Sequence, residues 1–86
     1  MHEYHLIKAL IDSILKKTAE MDNLERLTKI KVKLGDLKMV GRESFLKTFK
    51  ELSAGTICDG ATIDLEEVKG DTLLVEAIEG DFKDVE

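Results

Sequence analysis

The residues best equipped for chemistry stand together at the start of the chain, in Met1-His2-Glu3-Tyr4-His5-Leu6. A histidine in second position sets its imidazole beside the α-amino group of Met1. That amine, the His2 backbone nitrogen and one His2 ring nitrogen can close two adjacent chelate rings on a single ion. Nitrogen donors in a flat arrangement suit Ni(II) or Cu(II), whereas zinc prefers a tetrahedral set. Such donors must shed protons, and the start of a helix favours this. Its first N–H groups have no internal partner, and the positive end of its dipole disfavours an ammonium. The same two residues can also be read as an ordinary fraying terminus, and the pattern alone leaves both readings open. His5 falls with Lys8 and Asp12 on the polar side of the helix that follows. It reads as a solvated residue, one turn from His2 and near enough to lend a further ligand.

Other chemistries find less support. The chain shows no Ser/His/Asp or Cys/His constellation and no glycine-rich phosphate loop, so an enzyme is not expected. A net charge of −5 with no basic block argues against nucleic acid as a partner. Cys58 is the only cysteine, which excludes an internal disulfide and any CxxC zinc site. No apolar run approaches the roughly 20 residues of a membrane span and no leader precedes the fold, so a cytoplasmic location is expected.

The elements that must position this terminus follow from periodicity. The chain has 86 residues, enough for one small domain. Leu6, Ile7, Leu10, Ile11, Ile14 and Leu15 recur at helical spacing, with Lys8, Asp12, Lys16 and Glu20 opposite, predicting a helix from about Tyr4 to Ala19 or Met21. Lys29-Ile30-Lys31-Val32-Lys33-Leu34 alternates as a half-buried strand ended by Gly35-Asp36. Its lysine row reads as a solvated, aggregation-resistant face rather than an anion-binding stripe.

A second helix is expected from Arg42 or Glu43 to Ser53, with Phe45, Leu46, Phe49 and Leu52 on one face and Gly55 at its C-terminal cap. Ala61, Ile63 and Leu65 mark a second strand. Lys69-Gly70-Asp71 then reads as a tight turn into a third strand through Leu73, Leu74, Val75 and Ile78, giving an antiparallel hairpin. The irregular phase of that third strand asks for a bulge or for burial on both faces. The segment from Gly80 to Glu86 is expected to extend it before fraying. The order α-β-α-β-β predicts a two-layer α+β domain, with two helices packed on a three-stranded mixed sheet. If the first two strands are neighbours, the crossover through the second helix makes them parallel.

Laid out this way, the chain resembles the HypA/HybF family of nickel metallochaperones, which serve maturation of nickel-iron hydrogenases and, in some organisms, urease. Met1-His2-Glu3 is similar to the family's opening. Leu34-Gly35-Asp36-Leu37 with Val40 and Glu43 resembles its G-x-L-x-x-V-x-x-E stretch. Phe45 and Phe49, Ala54-Gly55-Thr56, Gly60-Ala61 and Val75-Glu76-Ala77-Ile78-Glu79 continue the likeness in order. One departure stands out. The family carries a zinc lobe with two CxxC pairs between the second and third strands, where this chain has only Val68-Lys69-Gly70-Asp71-Thr72.

The resemblance implies a single nickel-binding domain over residues 1–86, without structural zinc. It implies a nickel site from the Met1 amine, the ring and backbone nitrogens of His2, and the amide nitrogen of Glu3. It further implies two partners, a hydrogenase large-subunit precursor and a nickel-delivery GTPase of the HypB kind docking along the first helix, with the chain a monomer or weak homodimer. The alternative is a divergent paralogue that binds partner proteins in hydrogenase assembly without carrying metal.

Overall fold

The computed structural model describes residues 2–83, with side chains from residue 3 onward. Its elements run α1 (His2–Thr18), β1 (Leu24–Gly35), a 3-10 turn (Asp36–Lys38), α2 (Arg42–Ser53), β2 (Thr62–Val68) and β3 (Leu73–Phe82). The expected α+β class and element order are those observed.

Each helix is held by its apolar stripe. Ile7, Leu10, Ile11 and Ile14 of α1 are buried, and the helix ends where the Thr18 hydroxyl donates back to the Ile14 carbonyl at 2.9 Å. Phe45 and Phe49 of α2 are buried one turn apart with ring centroids 6.1 Å from each other. Gly55, at φ 79°, follows the last turn of α2. The second helix spans the expected residues; the first begins two residues earlier, at His2.

The sheet order is β2-β1-β3. β1 pairs parallel with β2, Ile30 opposite Ile63, and antiparallel with β3, Ile30 opposite Ile78. Leu27, Ile30, Val32 and Leu34 point into a core shared with both helices, together with Leu65 and Cys58. β1 starts five residues before the expected Lys29, because Glu25 and Thr28 are skipped in the pairing with β3 and break the alternation. In β3 the skipped residue is Glu76. That bulge turns Leu73, Val75 and Ile78 toward the core and leaves Leu74 exposed.

The expected hairpin between the second and third strands does not form. β2 and β3 flank β1 on opposite sides, and residues 69–72 cross over its C-terminal end. Strands in a sheet lie about 4.8 Å apart, so this link bridges roughly twice that, within reach of four extended residues. It is tied down on the way: the Gly35 and Leu37 amides donate to the Thr72 and Gly70 carbonyls, and the Gly70 amide to Asp36 Oδ1 at 2.9 Å. Gly70 takes a positive φ of 108°, so the expectation of special backbone geometry there holds, although in a crossing and not a hairpin.

The open face of the sheet carries Lys29, Lys31 and Lys33 between acidic rows. Lys29 lies 3.9 Å from Asp64 and Lys33 3.6 Å from Glu76. The lysine row is thus matched by carboxylates on its neighbours, in keeping with a solvated face.

With this core, the fold should need no metal. Each large apolar side chain taken from water contributes about 1.5–3 kcal/mol. Melting curves with and without EDTA are therefore expected to coincide, and added zinc should not raise the midpoint. Unfolding by the chelator alone would show that a structural ion is required.

Candidate metal centre

The metal site expected from the sequence falls at the first turn of α1. Because the helix begins at His2, the Glu3 amide lies in the first turn, where no intrahelical carbonyl accepts from it. Met1 and the His2 side chain lie outside the described residues, so the amine and imidazole of the expected site are not placed. Glu3 is placed. Its carboxylate turns away from the helix end toward α2, accepting from the Ser44 hydroxyl at 2.8 Å and, more weakly, from Thr48 at 3.4 Å. Glu3 can therefore contribute through its backbone nitrogen, as the resemblance implies, while one carboxylate oxygen, Oε2, is engaged by both hydroxyls.

Ser44 and Thr48 escaped the reading of the sequence. They are 41 and 45 positions from Glu3, and only the side-by-side packing of α1 and α2 brings them to it. Their i, i+4 spacing on α2 was visible but pointed to nothing by itself.

His5 is exposed and sets its ring edge-on to Tyr4, centroids 5.7 Å apart. Lys8 and Asp12 pair at 3.4 Å on the same polar side. Cys58 lies in the core, where burial pushes its thiol up, the Thr56 hydroxyl opposing in smaller measure. A thiol held neutral in this way is a poor metal ligand. Among the described residues, no group of three or more His, Cys, Asp or Glu side chains could hold an ion. No helix among them is long and apolar enough to cross a membrane.

The fold defines a small α+β domain in which two helices pack on a three-stranded mixed sheet. A family model described as "Hydrogenase/urease nickel incorporation, metallochaperone, hypA" matches residues 1–73. The chain belongs to the HypA family. Among curated relatives, a hydrogenase maturation factor HypA from Pyrococcus abyssi is 40% identical over 67 residues, covering 78% of this chain and 48% of its own length. Another from Methanocaldococcus jannaschii is 29% identical over 73 residues, 80% of this chain and 59% of its own length. The chain thus spans about half the length of these curated relatives. The solution structure of the Ni metallochaperone HypA from Helicobacter pylori superposes with a TM-score of 0.67 over 94% of this chain and 98% of that one. At 11% identity, that likeness speaks for the fold alone.

Proposed function

We propose that this domain binds Ni(II) through the Met1 amine, the ring and backbone nitrogens of His2 and the Glu3 amide nitrogen, and passes the ion on during maturation of nickel-iron hydrogenase. Membership of the family supports the metal and the process. The observation that carries the site is the start of α1 at His2, which leaves the Glu3 amide without an internal acceptor while its carboxylate is held elsewhere. An ion can replace the proton on such a nitrogen without breaking a ladder bond.

The chemistry is ligand exchange, not catalysis. A carrier must give up its ion, and a site open to water with few protein donors releases more readily than a closed cage. The unit proposed to do this is the single domain over residues 1–86. In it, residues 68–72 stand where the resemblance puts the family's zinc lobe, and no structural zinc is needed. The receiving partner is a hydrogenase large-subunit precursor, and a nickel-delivery GTPase docks along the outer side of α1, where Tyr4, His5, Lys8 and Asp12 are exposed. The work belongs to the cytoplasm, where such precursors are assembled. The short stretch from Val68 to Thr72, where the resemblance puts the zinc lobe, favours a second reading, a protein-binding paralogue that carries no metal.

An equilibrium nickel titration of tag-free protein separates the two, since any residue placed before Met1 removes the amine donor. Uptake should release more than one proton per ion near neutral pH, because the donors are protonated before the metal binds. Affinity should accordingly rise with pH. A pH-independent affinity, or a bound ion with six oxygen ligands, would rule out the nitrogen set.

A further inference from the structure

We propose that Ser44 and Thr48 are positioning residues for the nickel site: by holding the Glu3 carboxylate against α2, they fix the first turn of α1 and keep that carboxylate out of the donor set. The inference rests on the nitrogen-donor reading above.

The behaviour of these hydroxyls is unlike that of Thr18 and Ser53 in the same two helices. A serine or threonine within a helix commonly bonds back to its own backbone. Thr18 does so to Ile14 and Leu15, and Ser53 to Lys50. Ser44 and Thr48 instead reach across to another helix and converge on one oxygen, Glu3 Oε2. Nor is Ser44 occupied in capping, since α2 starts from Gly41 without a side-chain cap.

The engaged oxygen belongs to the residue next to His2. Released, that carboxylate would stand within one side chain's length of any ion held at the terminus. Carboxylate and water favour octahedral coordination and hard ions, whereas flat nitrogen sets favour Ni(II) and Cu(II). The two hydroxyls therefore select between two coordination chemistries at one helix end. They also stiffen the turn whose amide must point at the ion. Partners of this outer kind are typically worth roughly 10–100-fold in metal affinity.

The test uses the full chain, tag-free, with Ni(II) as the probe. Affinity is read by calorimetry, and coordination by visible absorption and by the magnetic state of the bound ion. Wild-type protein is expected to hold diamagnetic, flat-coordinated nickel. The Ser44→Ala/Thr48→Val double variant should bind about tenfold more weakly and turn paramagnetic as oxygen ligands enter. Ser44→Thr, which keeps a hydroxyl, should behave as wild type. Adding Glu3→Gln to the double variant removes the freed carboxylate and should return the diamagnetic signature. A purely structural role for the hydroxyls would move the melting temperature and leave that signature alone. If the double variant fails to fold, Ser44→Ala alone should show the same change, smaller in size. A double variant with wild-type affinity and spectrum overturns the positioning role while leaving the nickel site standing. Wild-type protein whose nickel binding does not depend on His2 overturns both.

Discussion

Replacing His2 with alanine is expected to abolish stoichiometric nickel binding, a fall in affinity of roughly 100-fold or more, which is about 2.7 kcal/mol. The substitution removes the imidazole and with it the chelate ring that this side chain closes, leaving an amine and backbone nitrogens that hold an ion poorly by themselves. The fold should be indifferent. The buried stripe of α1 begins only at Ile7, and the anchoring of its first turn runs through Glu3 to Ser44. Stability should therefore change by less than about 0.5 kcal/mol, as for surface positions in general. Calorimetric titration and thermal melts of the two proteins measure both quantities. Unchanged affinity in the variant would remove His2 from the site.

The second large effect is expected at Gly35, where alanine should cost about 3 kcal/mol or more and lower the melting midpoint by roughly 10–20 °C. The reason is space and not backbone freedom. Gly35 has φ −74° and ψ 141°, which any residue can adopt. A Cβ there, however, would run into the Gly70 carbonyl oxygen and the Thr72 amide nitrogen of the crossing link. Both are backbone atoms, so no side chain can swing aside. Gly41 is the natural control. Its backbone angles are similar, φ −71° and ψ 151°, and a Cβ would meet nothing within 4 Å. Alanine there should stay within about 1 kcal/mol of wild type. Thermal melts of the two variants decide; equal midpoints would show that the crossing yields to an added methyl.

Gly35 also marks where the sequence was legible and where it was not. Elements with one strong period, α1 and α2, could be read almost to the residue, since a buried stripe such as Phe45 and Phe49 has no competing explanation. The lysine alternation in β1 was equally plain. Its first half was hidden, because skipping Glu25 and Thr28 destroys the two-residue period from which a strand is recognised. In β3 the same kind of irregularity, at Glu76, was visible as a phase slip that left a bulge and burial on both faces as alternatives; the bulge is what forms. Strand order was misjudged for a different reason. A short link containing glycine is the usual mark of a hairpin, and nothing local reveals that another strand lies between the two it joins. At the N-terminus, the proposed donors could be picked out because they are adjacent in the chain. The hydroxyls holding Glu3 were not, because their meeting depends on how two helices lie against each other.

The order β2-β1-β3 also governs how the chain must come together in time. The middle strand is the first to be synthesised and its two neighbours are the last, so Ile30 waits for both Ile63 and Ile78 before its backbone is fully paired. Contacts so far apart in the chain slow folding, since loop closure must precede the pairing that rewards it. Until then β1 is a strand with two bare sides, and its lysines become kinetic gatekeepers against other chains in the same half-folded state. The final strand, most of which lies beyond the stretch matched by the family model, is therefore the latch that commits the domain to its native state.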